Sequence, residues 1–262
     1  IRTTDVTQGG SRLTVGLRKI CAKLSYSVPT HIVCAAHVSK DVHIKVGYDA
    51  SKMYVIPNGF ELDKLVATEE DRNRIRQEVN IPEDAIVVGS VGRFNIVKNQ
   101  KFFVEVAREL VKTNPELIFM LVGRDNTVDN HELMGWLREY NLIDSFRLLG
   151  QRSDIPHCLK AMDIFCLHSK TEGFPNVLGE AIIMEKYCVS LDVGDASLLI
   201  SAEETLDKNS SFEDYANKII LSIHNNEFLD RTKINLKRTL VVKKYSIDRC
   251  VENFEKIYGI YG

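Results

Sequence analysis

The sequence predicts an α/β fold built on a doubly wound parallel sheet, and three observations carry that prediction. Short apolar runs recur at Ile86–Val91, Leu117–Val122, Phe146–Leu149, Ile164–Leu167 and Cys188–Leu191, with the length and composition of strands buried on both faces. Amphipathic helical patterns lie between them. Phe103, Val106, Ala107 and Leu110 share one face of NQKFFVEVAREL, and Leu133, Trp136, Leu137 and Tyr140 share one face of DNHELMGWLREY. The two patterns alternate, which implies βαβ units. In such sheets ligands bind beyond the carboxyl ends of the strands, so function is expected in the loops that follow them.

The elements in chain order refine this picture. RLTVGLRKICAKLS reads as a helix, HIVCAA as a short strand, SKDVHIKVGY as a second helix and MYVIP as a strand closing on the turn NGF. So short a stretch has too little core to stand alone, and 1–57 reads as the tail of a preceding domain plus a connection. Residues 58–245 form the main domain. In 246–262, SIDRCVENFEKIYGIYG is a closing helix with Ser246 as its N-cap. The chain opens at Ile1 without an initiator methionine and is read as a piece of a longer protein.

With 262 residues, 44% apolar and 27% charged, the chain can bury a sizeable core, and its net charge of −2 leaves no footprint for nucleic acid or an anionic membrane. No apolar run approaches the roughly 20 residues of a membrane span, and no signal peptide is visible. The cysteines Cys21, Cys34, Cys158, Cys166, Cys188 and Cys250 are scattered without a C-x-x-C pair, which reads as reduced, buried thiols in a cytoplasmic protein. His37 and His43 match no metal-ligand spacing.

Two stretches could carry chemistry. In GSVGRFNIVKNQ a strand ends at Val91, Gly92 permits close backbone approach, and Arg93 and Lys98 precede a helix opening near Asn99. Two cations beside a helix N-terminus suit a phosphate or diphosphate; solvated surface cations are the plainer reading. The stretch is neither a Walker A loop nor a G-x-G-x-x-G fingerprint. In HSKTEGFPNVLGEA, Glu172 sits in a strand-end loop and Glu180 about one turn into a helix that turns Val177, Ala181 and Met184 inward. Carboxylates accept paired hydrogen bonds from sugar and ribose hydroxyls, although Glu180 could equally complement the helix dipole and Glu172 be solvated. His168 reads as a satisfied loop histidine. DVGDA, at 192–196, follows another strand and could add backbone contacts.

Taken together, these stretches resemble the family 4 retaining glycosyltransferases of the GT-B fold. Gly92, Arg93 and Lys98 match the family's Gly-Arg-x4-Lys, VGR recurs at the next strand, EGFPNVLGEA matches its E-x7-E signature, and DVGD follows in order. VIPNGFE is similar to the interdomain connection and YSIDRCVENFEKIY to the closing helix. The likeness spans roughly residues 25–200 and the C-terminus. It implies a Rossmann-like, nucleotide-sugar-binding C-terminal domain with a remnant of the N-terminal acceptor domain.

The resemblance also implies roles. Arg93 and Lys98 would hold the donor diphosphate and neutralise the leaving group. Glu172 would face the sugar near its anomeric carbon. Glu180 would bind the ribose. Gly92 and the segment Gly173, Phe174, Pro175, Asn176 and Val177 would contact phosphate or sugar. The implied reaction moves a hexose from a nucleotide sugar with retention, and needs neither metal nor other cofactor. The implied acceptor is a glycan or lipid-linked glycan of surface polysaccharide assembly, reached at the inner face of the membrane by peripheral association through the N-terminal domain. The isolated chain is expected to bind donor without transferring sugar. Two departures stand out: Glu185 and Tyr187 occupy positions where the family carries Gly and Pro, and SLLISAEETLDKNSS is shortened. A nucleotide-sugar epimerase, a non-catalytic nucleotide-sugar-binding protein and an unrelated doubly wound domain are the competing readings.

Overall fold

The structure, a computed structural model, describes residues 12–259; the ends of the first and last predicted segments, 1–11 and 260–262, lie outside the described residues. The described residues open with α1 (Arg12–Leu24), β1 (Ile32–Cys34), α2 (His37–Val46) and β2 (Met53–Val55). Strands β1 and β2 pair in parallel, Ile32 opposite Met53, over a small cluster of Ile32, Cys34 and Met53.

The main body runs α3 (Glu69–Glu78), β3 (Val87–Val91), α4 (Gln100–Leu110), β4 (Ile118–Val122), α5 (His131–Glu139), β5 (Phe146–Gly150), α6 (Ile155–Ala161), β6 (Ile164–Leu167), α7 (Asn176–Ile183), β7 (Tyr187–Leu191), β8 (Thr205–Leu206), α8 (Phe212–His224), α9 (Arg231–Tyr245) and α10 (Ile247–Tyr258). Its six strands form one parallel sheet in the order β5-β4-β3-β6-β7-β8. The order runs outward in both directions from the β3/β6 pair, so the topological switch lies there, and with it the crevice where ligands bind. Helix α4 packs on α5 and α8, α3 on α6, and α7 on α9, as right-handed crossovers on two sides of a sheet require.

Each of the five apolar runs becomes a strand, within a residue at either end. Phe103, Val106, Ala107 and Leu110 are fully buried. Local chemistry explains several helix starts: Thr68 with Asp71 and Ser211 with Asp214 form capping boxes, and Ser246 accepts from the Arg249 N–H. At the far end of the sheet from the switch point, buried Arg76 donates to Asp163 at 2.8 Å and to the Ala161 carbonyl at 3.0 Å. Asp163 also accepts from Val87 N at 2.8 Å, which locks β3 to the start of β6.

The structure corrects three expectations. Cys34, Cys158, Cys166 and Cys188 are buried, but Cys21 is exposed and Cys250 half-buried. On α7, Ala181 and Met184 are buried as expected and Leu178, Ile182 and Ile183 join them, while Val177, in the first turn at the crevice end, is only partly covered. On α5, Met134 joins Leu133 and Leu137 inside, while Trp136 and Tyr140 lie at the margin.

Candidate functional site

The loop after β3 is fixed from beneath. Gly92 N donates to Val122 O at 2.8 Å and Phe94 N to Arg124 O at 2.8 Å, so the two VGR stretches run side by side. Their approach leaves no room for a side chain at Gly123, where φ is +130° and a Cβ would lie 2.4 Å from Gly92 O. Fully buried Asn126 donates to Gly92 O at 2.7 Å, and buried Gln100 donates to Arg93 O at 2.9 Å. The Arg93 side chain is left exposed, with no ion pair among the described residues. Lys98 folds back, its stem lying over Gly92.

Across the switch point, the loop after β6 carries the first glutamate. Lys98 Nζ donates to Glu172 Oε1 at 2.6 Å, with the two side chains 25% and 14% exposed. Lys170 N donates to Val97 O at 2.8 Å, a second tie between the loops. The sequence reading assigns Lys98 and Glu172 to different parts of a ligand; the fold joins them in one ion pair. Beneath them His168 is buried, with Nε2 2.9 Å from Ser90 Oγ and its ring stacked on Phe103. Burial, then the nearby Lys98 charge, pulls its pKa down to about 4, so near neutral pH it is an uncharged packing group.

A third loop, after β7, braces the second. Asp195 N donates to Gly173 O at 2.8 Å. At Gly194, φ is +62° and a Cβ would lie 2.2 Å from Gly173 O, so only glycine permits this contact. The Asp195 carboxylate, itself buried, accepts from His37 N at 2.7 Å and Val38 N at 3.3 Å. It thereby caps the N-terminus of α2, and the stretch DVGDA couples the Glu172 loop to the N-terminal segment. Nothing in the spacing signals that partner 158 positions away.

Beyond Gly173, buried Phe174 packs on Phe60 and Tyr245, with ring centroids 6.0 and 5.0 Å away. Pro175 stands at the start of α7 with no side-chain cap, which leaves the helix N-terminus directed at the crevice. Asn176 accepts from Asn58 Nδ2 at 2.9 Å. Asn58, Asn176 and Glu180 line a cleft of about 600 Å³, closed on its other side by Ile247, Cys250 and Phe254 of α10. Arg93, Lys98 and Glu172 are not part of that cleft's lining. Burial raises the Glu180 carboxyl above its ordinary range, and it has no hydrogen-bond or ion-pair partner among the described residues. Glu61 and Lys64 also line the cleft; their place beside Glu180 depends on tertiary packing that the sequence does not display.

Among the described residues, no group of three or more His, Cys, Asp or Glu side chains could hold a metal ion, and no helix is long and apolar enough to cross a membrane.

Comparison with known proteins places this arrangement in a family. The profile described as Glycosyl transferases group 1 matches residues 71–239. The UDP-Gal:alpha-D-GlcNAc-diphosphoundecaprenol alpha-1,3-galactosyltransferase of Escherichia coli is 31% identical over 177 residues, covering 66% of this chain and 46% of that protein. The putative glycosyltransferase EpsF of Bacillus subtilis is 26% identical over 144 residues, covering 55% and 37%. The chain thus spans about half the length, or less, of these curated relatives. The crystal structure of Anabaena HepE in complex with UDP-glucose superposes with a TM-score of 0.84 at 20% identity, covering 94% of this chain and 68% of that one. The matched region takes in both VGR loops, the Glu172–Glu180 segment and DVGDA. The chain belongs to the group 1 glycosyl transferases and has the GT-B type of α/β fold.

Proposed function

We propose that this chain is the donor-binding part of a retaining hexosyltransferase that uses a nucleotide sugar without a metal ion. The observation that carries the reading is the Lys98–Glu172 pair at the β3/β6 switch point. A cation there can exchange its carboxylate for a diphosphate oxygen, and the freed carboxylate is then left beside the group the diphosphate carries. In the proposed reaction the bond from the anomeric carbon to the diphosphate oxygen breaks, and its electron pair stays on that oxygen. Arg93 and Lys98 stabilise the resulting charge. The acceptor oxygen bonds the anomeric carbon and gives up its proton to the departing phosphate oxygen. Glu172 orients the sugar, Glu180 accepts from the ribose hydroxyls, and Gly92 with Gly173–Val177 supplies backbone and packing contacts.

Residues 1–57 belong to an acceptor-binding domain, 58–245 hold the donor, and 246–262 close the chain. The acceptor is a glycan or lipid-linked glycan at the cytoplasmic face of a membrane, a reading supported by the diphosphoundecaprenol substrate named for the Escherichia coli relative. Holding both reactants in attacking geometry can be worth roughly 7–11 kcal/mol, so the chain alone binds donor without measurable transfer. The test is incubation of labelled UDP-hexoses, in chelator, with an intact protein containing this chain and with lipid-linked glycan acceptors. Transfer with retained anomeric configuration supports the proposal. Epimerised donor, release of inverted product, or recovery of activity only on adding magnesium or manganese contradicts it.

A further inference from the structure

The near-neutral total charge hides a segregated basic face. Helix α9 reads RTKINLKRTLVVKKY, with Arg231, Lys233, Lys237, Arg238, Lys243 and Lys244 and no acidic residue, in a chain of net charge −2. Its buried side is Ile234, Val241 and Tyr245. On the open side Leu236 and Leu240, one turn apart, are 61% and 59% exposed, and Leu198, beside Leu240, is 42% exposed; on the Leu236 side the neighbouring depression also holds Glu203, Glu204 and Glu227. Leu198 and Leu240 share a depression with Lys243, Lys244, Arg249 and Lys256, and no carboxylate lines it. Lys237 pairs with Glu204, Arg238 lies 3.7 Å from Glu185, Arg249 pairs with Glu252 at 2.7 Å, and Lys244 lies over the Tyr245 ring. Lys243 and Lys256 have no ion pair among the described residues.

We infer that this α9–α10 face docks on an anionic lipid bilayer. Aliphatic side chains standing among lysines suit the boundary between acyl chains and headgroups, where leucines enter the apolar layer and ammonium groups meet lipid phosphates. A soluble polyanion would match the charges but leave the three leucines without an apolar partner. The position of the face adds a consequence. Arg249, Asn253 and Lys256 line the basic depression, while Ile247, Cys250 and Phe254 of the same helix line the cleft containing Glu180. Leu198 ends the short helical turn that starts one residue after Asp195, which holds the Gly173 loop. Docking would therefore bring the cleft close to the bilayer; that this serves a lipid-linked acceptor rests on the function proposed above.

The test is co-sedimentation of the chain with vesicles of phosphatidylcholine, with and without phosphatidylglycerol. Binding is expected only to the anionic vesicles. Lys243→Glu with Lys256→Glu should weaken it by about 100-fold or more, given that each basic residue near an anionic surface contributes roughly fivefold. Leu236→Ser with Leu240→Ser should weaken it by about tenfold. Both variants should keep the wild-type affinity for UDP, which separates loss of docking from loss of the donor site or of the fold. Helix α1 also exposes leucines at 13, 17 and 24, so Leu13→Ser with Leu17→Ser serves as the comparison and should leave vesicle binding intact. Equal binding to neutral vesicles, insensitivity to both α9–α10 variants, loss in the α1 variant instead, or full competition by single-stranded RNA would overturn the inference.

Discussion

Lys98 and Glu172 are each other's partner until something replaces one of them. In a pair this far buried, the attraction is largely offset by the cost of desolvating both charges, so its value lies in exchange. Lys98→Ala should lower UDP affinity by roughly 10- to 100-fold through loss of a charge-assisted contact, with a thermal midpoint close to wild type. Glu172→Gln removes the competitor for the ammonium group, so UDP should bind at least as tightly as to wild type while sugar transfer falls. Titrating both variants with UDP checks the pair; weaker UDP binding in Glu172→Gln would count against it.

Glu180 gives a pH signature. Burial holds its carboxyl above the usual glutamate range, so folding favours the protonated form. Its stabilising contribution is fully present below about pH 4.3, the ordinary glutamate value, and is lost as pH rises through the folded value. Glu180→Gln should therefore raise the thermal midpoint at neutral pH and confer no gain in acid. Ribose hydroxyls donating to the ionised carboxylate would pull the pKa back down. UDP affinity should then increase with pH across the same window, and Glu180→Gln should flatten that increase. Calorimetry over a pH series measures both, and an unchanged slope in the variant would remove Glu180 from the ribose site.

At the scale of elements, the turn between α7 and β7 shows how a departure from family pattern is absorbed. Glu185, where the resemblance leads one to expect glycine, has φ of +61°. A non-glycine residue there carries roughly 1–2 kcal/mol of steric cost. Its side chain is 38% exposed and lies 3.7 Å from Arg238, too loose a contact to offset much. Glu185→Gly should therefore stabilise the chain by about 1 kcal/mol after glycine's greater chain entropy is subtracted, a rise of about 2 °C in thermal midpoint. A lower midpoint would mean that the Arg238 contact outweighs the backbone. The strands and α4 were legible because parallel strands buried on both faces leave continuous apolar runs, and α4 keeps a regular stripe. Helices α3 and α9 have no such stripe: α3 is almost wholly polar and α9 alternates leucines with lysines on its open side. The two-residue β8 has too short a pattern to register.

For the whole molecule, the candidate site is a meeting of three strand-end loops with the N-terminal segment. Arg93, Lys98, Glu172 and Glu180 were legible as residue types at strand ends, since each follows an apolar run that fixes its address. The pairing of Lys98 with Glu172, the capping of α2 by Asp195 and the placing of Asn58 against Asn176 were not. Each of these joins residues far apart in the chain, and only closure of the fold brings them together. The same closure gathers lysines and arginines on the α9–α10 side and sets Asn58, Asn176 and Glu180 among the apolar walls of one cleft.

The function proposed above requires the β3/β6 crevice to hold a nucleotide diphosphate through protein cations alone. Isothermal titration of this chain with UDP in the presence of chelator tests it most directly, on wild type and on Arg93→Ala with Lys98→Ala. A single binding event is expected for wild type and a loss of roughly 100-fold or more in the double variant, with binding of uridine unchanged. No binding by wild type, binding that appears only when magnesium or manganese is restored, or equal UDP affinity in the double variant would contradict it.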